Sequence, residues 1–124
     1  LGQYSGLVKD QFTANYIRPQ ENGYKTDVRW LTLKSASGQG YRIEGVQPIC
    51  FSALNYSTES LDPGMTKKQQ HPFDLRPDNN VYLNIDLLQR GVGGDDSWGA
   101  LPHEEYRLRD KKYSYSYIIR LLDK

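Results

Sequence analysis

The sequence predicts an all-β fold built on an antiparallel sheet, and three observations carry that prediction. Ten tyrosines, three phenylalanines and two tryptophans sit in a polar chain of 124 residues, and aromatic side chains pack well on the pleated surface of a strand. Several stretches alternate apolar and polar residues with period two. Turn signals separate these stretches at short spacing, the pattern of a sandwich or barrel sheet.

Each element follows from local chemistry. Pro19-Gln20-Glu21-Asn22-Gly23 reads as a turn, because proline presets its own φ and Asn-Gly makes a tight reversal. The strand "YKTDVRWLTL" starts directly after it. Val28 and Trp30 share one face of this strand and Arg29 and Leu31 the other, so Trp30 reads as core. "SASGQG" then turns the chain into "YRIEGV" (41–46) and "ICFSAL" (49–54), two further strands. "NYSTESLD" is the one helical candidate, with Ser57 as N-cap and Asp62-Pro63-Gly64 ending it within about two turns. Past the turn "RPDNN", "VYLNIDL" alternates Val81, Leu83, Ile85 and Leu87 against Tyr82, Asn84 and Asp86. "EEYRLR" (104–109) supplies another strand and "LRDKK" a turn. "YSYSYIIRLL" is the strictest alternation, placing Tyr113, Tyr115, Tyr117, Ile119 and Leu121 on one face. With no repeat or internal linker, residues 1–124 read as a single domain, able to bury roughly two-thirds of the surface of its unfolded chain.

Charge and composition exclude several classes. Sixteen Lys and Arg against 15 Asp and Glu leave a net charge of +1, too little to attract a polyanion over distance. The basic residues are scattered, whereas nucleic-acid recognition needs a basic stripe, so no nucleic-acid partner is expected. No run reaches the roughly 20 apolar residues that span a bilayer, and no membrane partner is expected. Cys50 is the single cysteine; it excludes an internal disulfide and leaves cytoplasm and periplasm equally open. The opening "LGQYSGLVKD" lacks methionine, as expected of a piece of a longer protein or of a processed start.

Catalytic constellations do not emerge. Glycoside hydrolysis usually needs two carboxyls facing each other across the bond, yet Asp95-Asp96 and Glu104-Glu105 are sequence neighbours whose side chains diverge on a strand. Glycine-flanked Asp pairs in loops more often hold backbone amides. Cys50 lies in an apolar strand with no local base, the setting of an inert thiol. His71 and His103 form no metal-ligand spacing with Cys50 or the acids and read as structural or surface histidines. Neither a catalytic nor a metal residue is therefore expected in this chain.

"GVGGDDSWG" (91–99) is the informative stretch. Two carboxylates directly after the glycines would repel a phosphate, and the acid spacing is not that of a calcium loop. Tryptophan is mostly a core residue, but Gly91, Gly93, Gly94 and Gly99 carry no side chains to cover an indole, and Asp95 and Asp96 require water or polar partners. An indole beside hydrogen-bonding acids suits a sugar, whose C–H face stacks on the ring while its hydroxyls meet polar groups.

Four segments, "YIRPQENGYKTDVRWLTL" (16–33), "FSALNYS" (51–57), "VYLNIDLLQRGVGGDDSWG" (81–99) and "EYRLRDKKYSYSYII" (105–119), together resemble the C-terminal, small-chain domain of the large bacterial β-galactosidases of glycoside hydrolase family 2. The resemblance implies an antiparallel β-supersandwich of the galactose mutarotase-like type, of which this chain would be the C-terminal half. It implies hydrolysis of terminal β-D-galactosides with retention, by two glutamates on a TIM-barrel domain outside this chain. The isolated chain is then expected to be inactive. By the same resemblance, Trp98 matches the tryptophan that reaches into the active site and stacks on the aglycone sugar, and Gly93, Gly94, Asp95, Asp96 and Ser97 match the loop that holds it. No cofactor is implied in this chain; the Mg²⁺ of the family would sit in the catalytic domain of the parent enzyme. The implied partners are the barrel domain, the galactoside and, for the parent enzyme, further copies in a homo-oligomer.

Two rival readings come from other classes. A free-standing carbohydrate-binding module would display Trp98 with surface tyrosines as a platform. A structural domain would use the tyrosine-rich strands for subunit contacts.

Overall fold

In a computed structural model, residues 1–13, 17, 22–62, 64–65, 71–96 and 98–123 are described. Their secondary structure is dominated by four strands: β1 (Lys25–Lys34), β2 (Gly40–Leu54), β3 (Tyr82–Asp86) and β4 (Tyr117–Leu122). They form one sheet in the order β1-β2-β3, with β4 also paired to β2. The β2–β4 ladder is antiparallel and runs from Gly40 opposite Leu122 to Gly45 opposite Tyr117. The all-β, antiparallel class read from the sequence is therefore the observed one.

Turn chemistry places the strands where the sequence puts them. Asn22-Gly23 reverses the chain before β1, with Gly23 at φ +63°. The buried Asn22 side chain accepts from the Thr13 amide at 2.8 Å; Pro19, Gln20 and Glu21 of the same motif lie outside the described residues. Between β1 and β2 the Ser35 amide donates to the Gln39 carbonyl at 2.8 Å, and the Gly38 amide donates to Ser35 at 3.0 Å. The helical candidate is a single turn, α1 (Thr58–Leu61), whose Ser57 Oγ accepts from the Ser60 amide at 3.1 Å. Pro63 is not among the described residues, but the Asp62 carboxylate accepts from the Gly64 amide just after the helix.

Four details differ from the sequence reading. "YRIEGV" and "ICFSAL" are one continuous strand, β2, rather than two. "EEYRLR" is no strand: Glu104–Tyr106 is a 3-10 turn, because the Tyr106 and Arg107 amides bond locally to the carbonyls of His103 and Glu104. The long tyrosine strand is cut short as well. Its pairing with β2 reaches Tyr117, one further bond joins the Val46 amide to the Ser116 carbonyl, and Pro48 then offers β2 no N–H to extend the ladder. Trp30 is not core. It is 38% exposed, and the Arg42 guanidinium lies over its ring at 4.2 Å, while Leu31, on the opposite face, is buried. Among the described residues, the tyrosine-rich face is also uncovered: Tyr113, Tyr115, Tyr117, Ile119 and Leu121 are all exposed.

The chain divides into two compact units, one of Leu1–Lys25 with Phe51–Ile85 and one of Thr26–Cys50 with Asp86–Lys124. In the first, Leu54, Leu61 and Leu75 form a buried cluster against which Phe12, Ile17 and Tyr56 pack. The Phe12 and Tyr56 rings lie 4.3 Å apart. In the second, Leu31, Ile43, Ile49 and Cys50 are buried. Cys50 Sγ approaches the Leu87 carbonyl at 3.7 Å, a buried thiol with no base beside it among the described contacts. Leu61 holds the single helical turn onto the first cluster, so Leu61→Ala should lower the stability of that unit by about 2–5 kcal/mol. Denaturant unfolding followed by the local tyrosine signal checks this, and a loss under 1 kcal/mol, by the same scale, would show that the cluster does not bear on stability.

Candidate functional site

The loop after β3 is shaped by what its glycines permit. Leu88–Gly91 carries the chain out of the strand, and the Gly91 amide donates to the Tyr106 carbonyl at 2.7 Å. A Cβ on Gly94 would stand 2.6 Å from the carbonyl oxygens of both Ala100 and Leu101, so only glycine allows the two sides of the loop to approach this closely. Gly93 and Gly99 occupy φ +88° and +103°, the left-handed region that other residues enter at a cost.

The two acids of the loop are spent on structure. Asp96 Oδ1 accepts from the Trp98 amide at 2.8 Å and from the Ala100 amide at 3.3 Å, a turn of the kind Asp side chains make with backbone one to four residues on. Asp95 Oδ1 meets His103 Nε2 at 2.7 Å. Ser97 lies outside the described residues. Trp98 itself is 93% exposed, its backbone tied down and its indole in water.

Beyond the loop, residues 102–109 form a braced segment. Pro102 is buried, and its carbonyl accepts from Arg107 Nε. Arg107 Nη1 also pairs with Glu104 at 2.8 Å, and the Arg109 guanidinium reaches the same carboxylate. His103 stands at the head of this segment, and its carbonyl accepts from the Tyr106 amide at 2.9 Å.

Of the residues the sequence singles out, the structure brings Asp95, Asp96 and Trp98 together with Gly93 and Gly94 in one loop. His103, read from the sequence as a structural or surface histidine, proves to be hydrogen-bonded to Asp95; nothing in a separation of eight residues announces that partner. His71 is a surface residue whose amide donates to Asp74 Oδ2 at 2.9 Å. Among the described residues no three His, Cys, Asp or Glu side chains converge in a way that could hold a metal ion, and no helix is long and apolar enough to cross a membrane.

Residues 1–119 match the family described as beta galactosidase small chain. The chain belongs to that family. Similar curated proteins include a beta-galactosidase of Priestia megaterium, 37% identical over 123 residues, which cover 98% of this chain and 11% of that protein. A beta-galactosidase of Alteromonas mediterranea is 35% identical over 116 residues (94% and 10%). One of Streptococcus thermophilus is 32% identical over 125 residues (99% and 12%). The small-chain segment described here thus spans about a tenth of the length of these relatives.

If the Asp96 carboxylate is what fixes the loop backbone, Asp96→Ala should speed hydrogen exchange at the Trp98 and Ala100 amides. A net hydrogen bond corresponds to a factor of about two to ten. Amides in β2 serve as the internal control, and unchanged exchange at Trp98 would remove Asp96 from this role.

Proposed function

We propose that this chain is an accessory domain of a β-galactosidase and that Trp98 completes the sugar site of the enzyme on the aglycone side. The observation that carries the reading is an indole left 93% exposed while its own amide and that of Ala100 are held by Asp96. A side chain ordered through its backbone yet uncovered is prepared for a partner, and family membership supports a galactoside as that partner. The sugar's C–H face would stack on the indole and its hydroxyls would meet polar groups and water at the rim.

The domain's part is binding. Asp95 and Asp96 are engaged with His103 and with backbone amides, which suits a loop that orients substrate and excludes water while the acid–base and nucleophilic steps of a retaining hydrolysis occur on glutamates elsewhere in the enzyme. The isolated chain is accordingly inactive.

A second reading, a free-standing carbohydrate-binding module, draws support from the exposed Tyr113, Tyr115 and Tyr117. The Tyr115 and Tyr117 rings, however, lie 5.9 Å apart and tilted by 37°, which is not the flat row that a polysaccharide surface requires. Titration of the isolated chain with lactose, followed by tryptophan fluorescence, separates the two: saturable quenching lost in Trp98→Phe favours the module.

In the full-length enzyme, Trp98→Ala should weaken disaccharide binding by about 1–3 kcal/mol, the worth of an aromatic anchor. The effect is read as a higher KM for lactose, with kcat changed less. An unaltered KM would count against the assignment.

A further inference from the structure

We infer that His103 is a positioning residue for Trp98, acting through Asp95; the inference rests on the sugar-stacking reading of Trp98 given above. The Asp95 carboxylate can only accept, so His103 Nε2 donates across the 2.7 Å contact. That bond closes the stretch 95–103 into a ring that contains Trp98. Asp96 fixes the backbone inside the ring, through the Trp98 and Ala100 amides, but it does not join the ring to anything else.

His103 makes that connection. It belongs to the braced segment 102–109, where the buried Pro102 precedes it, its own carbonyl accepts from Tyr106, and Glu104 next to it holds Arg107 and Arg109. The loop's base is tied to the same segment by the Gly91 amide, which donates to the Tyr106 carbonyl, but the part around the indole is less restrained. At Gly93 and Gly99, on either side of the indole, a Cβ would meet open space apart from the adjoining residues, so packing from elsewhere in the chain does not limit their backbone torsions. Among the described residues, the imidazole is therefore the side chain that ties the Asp95 end of the loop, next to Trp98, to the braced segment. Without it, Trp98 samples more orientations, and binding must select the productive one, which lowers apparent affinity by the fraction lost. The pair is exposed, at 57% for the histidine side chain and 85% for the aspartate, and an exposed pair of this kind is worth a factor of about two to five.

The test is steady-state lactose hydrolysis by the full-length enzyme carrying Trp98→Ala, His103→Ala, His103→Gln, Asp95→Ala and the Trp98→Ala/His103→Ala double change, with melting temperatures measured alongside. Gln places an amide N–H where Nε2–H stood. The expected result is a KM for lactose raised about two- to fivefold by His103→Ala, with kcat within about twofold, restored by His103→Gln and matched by Asp95→Ala, which also keeps the test open if one variant folds poorly. In the Trp98→Ala background, His103→Ala should add nothing, because two residues that act through one indole are not additive. If Trp98→Ala raises KM and neither His103→Ala nor Asp95→Ala does, the positioning role is wrong and the stacking role of Trp98 stands. An undiminished effect of His103→Ala in the Trp98→Ala background also overturns it, since His103 would then act elsewhere. If Trp98→Ala leaves KM unchanged, both readings fall together.

Discussion

One strand organises the sheet. Backbone N–H and C=O groups taken from water must find partners, and every other strand of this sheet finds them on β2: β1 and β3 are its neighbours in the main path and β4 joins it separately. Pro48 marks a change along β2. The ladder with β4 occupies Gly40–Gly45, with one bond more at Val46, while the side-chain link from Asn84 in β3 falls at Ser52. A proline inside a strand is tolerable where no partner needs its N–H, and here it sits after the end of the β4 ladder. The length of β2, fifteen residues, is what allows one strand to serve several partners in succession.

The Trp98 loop answers a different constraint. Burying an indole removes about 150–250 Å² of largely apolar surface from water, worth roughly 4–6 kcal/mol at about 25 cal/mol per Å². A chain that leaves Trp98 93% exposed forgoes nearly all of this. The surrounding residues make the exposure orderly. Gly94 lets the two sides of the loop come within contact distance, Asp96 satisfies two amides that would otherwise rely on water, and the His103–Asp95 pair joins the loop to a braced neighbour. None of these contacts covers the ring, so the loop holds the backbone and leaves the indole face free.

Much of this was legible in the sequence, and the exceptions have physical causes. Period-two alternation located β1 and β3, and Ser57 and the Asn22-Gly23 turn acted through local side-chain and backbone chemistry that sequence displays directly. The strand expected at "EEYRLR" gave way because Glu104 and its arginines satisfy one another within six residues, a local solution that competes with a strand. Trp30 misled because alternation says which side chains share a face but not which face is covered; Arg42 lies over the indole while Leu31 takes the interior. Tyr113, Tyr115, Tyr117, Ile119 and Leu121 show the same limit. Their shared face is apolar by pattern and exposed in fact. In the loop, composition pointed to Trp98 and the acids, but the His103 contact arises from the fold of 91–106 and has no local signature.

The division of labour between loop and chemistry follows from how binding energy acts on rate. An interaction made equally with bound substrate and with the transition state lowers KM and leaves kcat alone. On the proposed reading, Trp98 stacks on the sugar that leaves, away from the bond-breaking carbon, and the loop acids are engaged with His103 and backbone amides rather than aimed at a reacting atom. On that reading the domain acts on the KM side. The same reasoning extends to whatever holds the indole in place: a residue that narrows the orientations of Trp98 cannot contribute more than Trp98 does, and its effect vanishes with the ring. On the proposed reading, orientation and affinity therefore form one quantity, set by the exposed indole in a loop whose backbone is restrained through Asp95 and Asp96.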